Sequence, residues 1–359
     1  MAEMKKTLVP STERLSVVMP VHNALPHLDA AVHSILGQTY RDFEFVILDD
    51  ASTDGSSARL VEWAGKDHRI KLVRSDRNLG PVASSNLVVK QSSGSIVARM
   101  DADDIAHPDR LRRQIELLHA HPEAGLIGTL CEVIDGNGRK LRDLETWRLL
   151  RKTSMAPFPH GSFMYRRHLY DEVGGYRQGC EFWEDQDLVW RIARLADILV
   201  IPAALFMVRH SSTSTRVASD PDRVEHAVDL MYRSTSRLRS GESYDDLITS
   251  NSRRDRVDPR VFISLGSLRL WSGETPHQLG RLLRKSDLRL DFKSAAALVW
   301  TAWAAASPGT LRAFLGLLVR VRSAFARRVI RSDEPLKWTP AHAASAPARS
   351  EQALTAQQS

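Results

Sequence analysis

Three acidic groups stand where chemistry could be done. Asp101-Ala-Asp103 closes one apolar run, Asp49-Asp50 closes another 51 residues earlier, and Glu184-Asp185 precedes Leu188, Ile192 and Leu195 at helical spacing. Side chains alternate along a strand, so Asp101 and Asp103 are expected on one face. Two carboxylates there suit a hard divalent cation that keeps positions open for phosphate. They would equally serve to cap a helix starting near Pro108. Asp50 can accept from a base N–H or a ribose hydroxyl, or make an Asx-turn into Ser52-Thr53-Asp54-Gly55. Acids in a first helical turn complement the helix dipole. Aimed into a cleft, one of them can instead act as a general base.

The elements that must position these acids alternate. Leu15 to Met19 reads as a buried strand stopped by Pro20. Leu28, Val32, Ile35 and Leu36 follow at helical spacing before Gly37. Strands are expected at 43–48, 70–73, 95–100 and 126–131, with helices near 56–64, 81–92 and from Pro108 through Leu118. Strand–helix alternation with short links makes a doubly wound, largely parallel α/β sheet. Ligands on such sheets sit beyond the carboxyl ends of the strands, which is where the acids at 49–50 and 101–104 fall.

Composition bounds the rest. The chain has 359 residues, 43% hydrophobic and 26% charged, which excludes a disordered or fibrous protein. Two cysteines, Cys131 and Cys180, build neither a disulfide framework nor a Cys-rich zinc site, so a reducing compartment is expected. Pro10, Ser11, Glu13 and Arg14 stand where a signal peptide needs an apolar core, so a cytoplasmic protein is expected. Residues 1–215 hold 27 Lys and Arg against 28 Asp and Glu, whereas residues 216–359 hold 23 against 15. The basic excess therefore belongs to the C-terminal part, which points to a different partner there.

Taken in order, these segments resemble the inverting, nucleotide-sugar-dependent glycosyltransferases of family 2, of GT-A fold. Val17-Val-Met-Pro-Val-His-Asn23, Ser34-Ile-Leu-Gly-Gln-Thr39, the 42–56 segment ending in Asp-Asp-Ala-Ser-Thr-Asp-Gly-Ser, Asn78-Leu-Gly80 and Ile96-Val-Ala-Arg-Met-Asp-Ala-Asp-Asp-Ile105 carry the resemblance. It continues through Pro108-Asp-Arg-Leu111, His160-Gly-Ser-Phe-Met-Tyr165, Gly174-Gly-Tyr176 and Glu184-Asp185, covering residues 14–215. The resemblance implies that Asp50 hydrogen-bonds the nucleotide base, usually uracil, over a loop formed by Pro20, Val21, His22 and Asn23. Asn78, Gly80, Arg99 and Asp101 are expected around the same nucleotide. Asp101 and Asp103, with His210, would hold Mn²⁺ or Mg²⁺, and Asp185 would be the catalytic base. His160, Gly161 and Glu184 are expected on the acceptor side. Two positions depart from the pattern. Ser85 stands where many relatives have Arg before an Asn, leaving Arg99 or Arg77 as the available cations. Met207-Val208-Arg209-His210 replaces the usual aromatic–Arg–x–His.

The expected domains are a lead at 1–13, the glycosyltransferase domain at 14–215, a basic helical region at 216–334 and a disordered tail at 335–359. Residues 295–306 are apolar but for Thr301 and carry Trp300 and Trp303; residues 310–331 hold six Arg and no acid. Twelve apolar residues are too few for a bilayer core needing about 20. The pair suits either an anionic membrane surface or a buried helix with a solvated basic face. Nucleic acid is not expected as a partner, since no binding motif accompanies the charge. The implied reaction is transfer of a sugar from a nucleotide-sugar, as a UDP-sugar, to a glycan or lipid-linked acceptor, in surface polysaccharide assembly at the membrane's cytoplasmic face. A nucleotidyltransferase also uses paired acids on an α/β sheet, but its Gly-rich phosphate loop is missing where Pro20 to Asn23 stands. A binding protein that kept the fold and lost catalysis is the non-enzymatic alternative; the intact Asp101, Asp103 and Asp185 argue against it.

Overall fold

In the computed structural model, residues 13–143, 156, 158–210, 221–249 and 335–339 are described. Strands β1 (Leu15–Val21), β2 (Phe43–Asp50), β3 (Ile70–Ser75) and β4 (Ile96–Arg99) alternate with helices α1 (Leu28–Leu36), α2 (Ser56–Lys66) and α3 (Pro81–Lys90). After β4 come β5 (Ile105–Ala106), α4 (Arg110–Ala120), β6 (Ala124–Ile134) and β7 (Lys140–Asp143). A single 3-10 turn at His160–Ser162 leads into β8 (Met164–Arg166), α5 (Arg167–Glu172), α6 (Glu184–Ile192) and β9 (Asp197–Arg209). Helices α7 (Pro221–Arg239) and α8 (Asp245–Thr249) and strand β10 (Leu336–Trp338) complete the described elements.

The sheet runs β10-β9-β6-β8-β4-β1-β2-β3. Its N-terminal half is parallel, as expected: β1 pairs with both β2 and β4, and β2 with β3. The other half is mixed, because β8 runs antiparallel between β4 and β6 while β6 and β9 are parallel. Both faces are covered, which explains why the strands read as continuous apolar runs. On β1, Leu15, Val17 and Met19 pack with Val32 and Ile35 of α1 and with Leu111 and Ile115 of α4. Val18 on the opposite face packs with Val88 and Val89 of α3 and with Trp183 and Trp190.

Three expectations change. Pro20 does not stop β1, which continues to Val21; pairing with β4 ends at Val18, so the missing N–H falls where one neighbour has already left. The 101–104 segment lies in a turn beyond β4, so strand alternation does not orient Asp101 and Asp103. Finally, Leu336–Trp338, assigned to a disordered tail, forms an antiparallel edge strand on β9 with Trp338 buried. Among the described residues no helix is long and apolar enough to cross a membrane. The 295–331 segment lies outside the described residues.

Candidate active site

The floor of the site is built where β4 ends. Arg99, the last residue of that buried strand, donates from Nε to Asp101 Oδ1 at 2.9 Å and from Nη1 to Ser85 Oγ at 2.8 Å. Ser85 is fully buried on α3, and its short side chain leaves room for the guanidinium. Arg99 is thus the cation beside Ser85, while Arg77 is exposed on a loop. From below, the fully buried Arg110 donates to the Arg99 carbonyl at 2.8 Å and the Gly161 carbonyl at 2.6 Å, with its guanidinium 5.3 Å from the Phe206 ring centroid. Burial pushes its pKa down to about 9, against the pull of Asp101 and Asp104. Arg110 therefore staples the strand end to the turn that carries His160 and Gly161. A side chain at Gly161 is excluded by its neighbours: a Cβ there would lie 2.4 Å from Phe206 Cζ and 2.9 Å from Asp101 Oδ2.

The acids of this turn act on one another. Burial works against the Asp101 carboxylate, but the Arg99 charge beside it, helped by His160, holds its pKa below the usual range. Asp103 is pushed up to about 6, by burial and then by the charge of Asp101. Asp104 is raised well above its ordinary value by burial and by both neighbours, and accepts from the Arg209 backbone N–H at 2.7 Å. Neither Asp101 nor Asp103 caps α4, whose N-cap position is Asp109. Even with Arg209 beside them, Asp103 and Asp104 stay above the usual carboxylate range. Hard oxygen donors that repel one another fit a divalent cation sharing its remaining positions with phosphate oxygens. Among the described residues no three His, Cys, Asp or Glu groups form a closed metal cage, so Asp101, Asp103 and His210 do not converge as a three-ligand set. His210 is exposed at the end of β9, one residue beyond Arg209, whose guanidinium donates to the Asp103 carbonyl at 2.7 Å.

The expected nucleotide loops lie beyond the ends of β1 and β2. His22 Nδ1 donates to the Asp50 carbonyl at 2.8 Å, which leaves Nε2 to accept from Asn78 Nδ2 at 3.0 Å. Asn23 Oδ1 accepts from the Thr53 N–H at 2.7 Å, and its own N–H donates to Ser52 Oγ. The buried Asp50 carboxylate accepts from the backbone N–H groups of Leu79 at 2.8 Å and Gly80 at 3.2 Å. The Asx-turn belongs instead to Asp49, which accepts from the Ser52 N–H and from Ser57. Pro20, Val21, His22, Asn23, Asp50, Asn78 and Gly80 are therefore brought together, with Asp50 as the hub. A carboxylate offers about four acceptor positions, so two backbone donors leave it able to take a base N–H.

Asp185 and Glu184, at the start of α6, lie close enough to act on His160 and Tyr176 respectively. His160 is half-buried; its pKa is pushed down to about 4 by loss of solvent and the Arg99 charge, while Asp101 and Asp185 both pull it upward. One imidazole thus feels acids from the strand end and from the start of α6. His160 Nε2 and the Tyr176 hydroxyl are hydrogen-bonded at 2.6 Å. Burial raises the Tyr176 pKa, with Glu184 and Asp101 adding to it. Asp185 is half-buried; its Oδ1 accepts from the Gln186 N–H at 2.8 Å. Asp187 does not behave as a dipole-facing acid comparable with its neighbours. It is fully buried and paired with both Arg177 and Arg191. Its loss would strike the packing around it rather than the cleft alone.

Sequence reasoning missed Arg110 and Tyr176 as site residues. The signal for Arg110 was present: Arg110, Gln114 and Leu118 recur at every fourth position, which puts a charge on the buried stripe of α4. Tyr176 stood in the Gly174-Gly-Tyr176 motif without a role, because its partner His160 is 16 residues away through a loop.

Residues 16–184 match glycosyl transferase family 2. EpsE of Bacillus subtilis (strain 168), a protein carrying a provisional glycosyltransferase name, is 31% identical over 237 residues, spanning 64% of this chain and 84% of its own. The O-antigen biosynthesis glycosyltransferase WbnJ of Escherichia coli is 30% identical over 186 residues, spanning 50% of this chain and 72% of its own. Among solved structures, the mannosyltransferase PcManGT from Pyrobaculum calidifontis, in complex with GDP-Man and Mn²⁺, superposes with a TM-score of 0.52. It is 18% identical, with 89% of this chain and 87% of that one covered. That likeness gives the GT-A fold.

Proposed function

This chain belongs to glycosyl transferase family 2, and on that premise we propose that it moves a sugar from a nucleotide-sugar donor, a UDP-sugar, to a glycan or lipid-linked acceptor hydroxyl with inversion. The observation that carries the reading is the placing of His160 within the fields of both Asp101 and Asp185. It supports a phosphate side and an acceptor side that share one cleft.

The chain's own groups then divide the work. His22, Asn23, Asn78 and Gly80, gathered on Asp50, form the cradle for base and ribose. Arg99, held by Asp101 and Ser85, supplies fixed positive charge beside the diphosphate. Asp101 and Asp103 are the groups that would hold Mg²⁺ or Mn²⁺, which offsets charge growing on the departing nucleoside diphosphate. Asp185 takes the proton of the acceptor hydroxyl as its oxygen attacks the anomeric carbon. The anomeric C–O bond to the diphosphate breaks, and its electron pair leaves with the nucleotide. Attack from the side opposite the leaving group gives inversion. His160 is uncharged near neutral pH because burial and Arg99 disfavour its cation, so with Tyr176 it offers the acceptor neutral hydrogen bonds. The relative named for O-antigen biosynthesis supports an acceptor in surface polysaccharide assembly. Thermal-shift measurement with UDP- and GDP-sugars, each with and without Mn²⁺, tests the reading, since a ligand that binds only the folded state raises its stability. Stabilisation by a UDP-sugar that needs Mn²⁺ is expected. Indifference to every nucleotide-sugar overturns the proposal.

A further inference from the structure

Asp187 stands two residues beyond Asp185 on the first turn of α6, and its carboxylate is fully buried. Oδ1 accepts from Arg177 and from the Tyr244 hydroxyl at 2.9 Å; Oδ2 accepts from Arg191 Nε at 2.9 Å and Nη2 at 2.5 Å. Two guanidinium groups on one buried carboxylate leave a surplus positive charge. Asp245, its side chain 60% exposed, offsets part of it from the solvent side, accepting from Arg177 Nη1 at 2.6 Å. Both Tyr244 and Asp245 lie in the segment entering α8, beyond the residues that match the family. The Tyr244 ring is 1% exposed, sits 5.9 Å from Trp190 and 6.4 Å from Trp183, and takes the Arg177 guanidinium on its face at 5.1 Å.

The node reaches the cleft by two routes. Along α6 it fixes the turn that carries Asp185. Through the arginines it fixes the loop before that helix: Arg191 Nη2 donates to the Gly175 carbonyl at 2.7 Å, and Arg177 is the residue after Tyr176, the partner of His160. A buried ion pair is weak evidence for stability, because desolvation offsets most of the attraction. What a many-partnered buried carboxylate does supply is one defined geometry.

We propose that Tyr244 and Asp245 are positioning residues: the segment entering α8 completes the charge and hydrogen bonding of Asp187, and thereby holds Asp185 in line with the acceptor hydroxyl. The proposal rests on Asp185 being the base. Small misplacements of a reacting group cost rate out of proportion to their size. Tyr244→Phe keeps the ring and its packing and removes one bond to Asp187; Asp245→Asn removes the balancing charge. Each, in the full-length chain, is expected to lower kcat about tenfold while leaving the donor Kd unchanged. Combined with Asp185→Asn, Tyr244→Phe should lower kcat no further, because groups acting as a unit are not additive. A merely structural Tyr244 would lower the melting temperature yet leave kcat of the folded enzyme at the wild-type value, and that result overturns the proposal. So does a full tenfold loss that persists on the Asp185→Asn background. A fully active Asp185→Asn refutes the base reading and this one with it. A crippled Asp185→Asn beside a fully active Tyr244→Phe and Asp245→Asn refutes this one alone.

Discussion

Gly161→Ala is the smallest change that tests how tightly the floor of the cleft is built. The added methyl would lie 2.4 Å from Phe206 Cζ, where an ordinary carbon contact is about 3.5–4.0 Å. The Phe206 ring is fully buried beneath Arg110, so it has little room to retreat by the ångström required. The second contact, 2.9 Å to Asp101 Oδ2, falls on a carboxylate already fixed by Arg99. Overpacking of this kind costs about 1–3 kcal/mol, which lowers Tm by several degrees in a unit of this size. Displacing Asp101 also disturbs the acidic turn, so Mn²⁺-dependent donor binding should weaken together with stability. Gly65→Ala is the matched control. Nothing lies within 4 Å of its new methyl, and a helical Ala in α2 should stabilise by about 0.5–1 kcal/mol. Thermal melts and donor titration of both variants decide it. A Gly161→Ala protein that melts and binds donor like wild type refutes the close-packed floor.

The Asp103 carboxyl, raised from 3.8 to about 6, gives a pH prediction with a definite sign. Between those values the folded state holds the extra proton, so stability falls as pH rises through that window and the penalty is complete above it. Metal-free Asp103→Asn should therefore melt above wild type at about pH 7.5 and close to it at about pH 4, and Mn²⁺ should reverse the order at the higher pH; a gap that ignores both pH and metal refutes this. Asp50→Ala should lower both nucleotide affinity and stability, the latter by about 1–3 kcal/mol, because the Leu79 and Gly80 N–H groups lose their acceptor. A drop in Tm with unchanged nucleotide affinity would confine Asp50 to holding the loop. The basic 295–331 sequence predicts salt-sensitive co-sedimentation with anionic vesicles, checked against a chain truncated after residue 290; a full-length protein that ignores vesicles at low salt removes the membrane reading.

What was legible in the sequence was what local pattern encodes. Strands β1 and β2 announce themselves because both faces are buried, and Asp50 and Asp101 mark strand ends where a doubly wound sheet opens. What escaped was decided by partners distant in sequence. Pro20 reads as a strand stop until it is seen that β4 pairs only up to Val18. Leu336–Trp338 is too short to stand out from its polar surroundings, and becomes a strand only because β9 offers a free edge. Asp187 looks like Asp185 in sequence; Arg177, Arg191 and the distant Tyr244 make it an interior ion. The resemblance identified the motifs one by one, but the joining of their residues through His160, Tyr176 and Arg110 needed the fold.

The central claim is that Asp185 takes the acceptor's proton. Asp185→Asn keeps the side chain's shape and the oxygen that accepts from Gln186, but cannot hold that proton. Sugar transfer by the variant, measured beside its donor affinity and melting temperature, is the direct test. A kcat reduced by about 10²–10⁴, with donor Kd and Tm nearly unchanged, is the expected result. Turnover at the wild-type rate would contradict it and place the base elsewhere in the cleft.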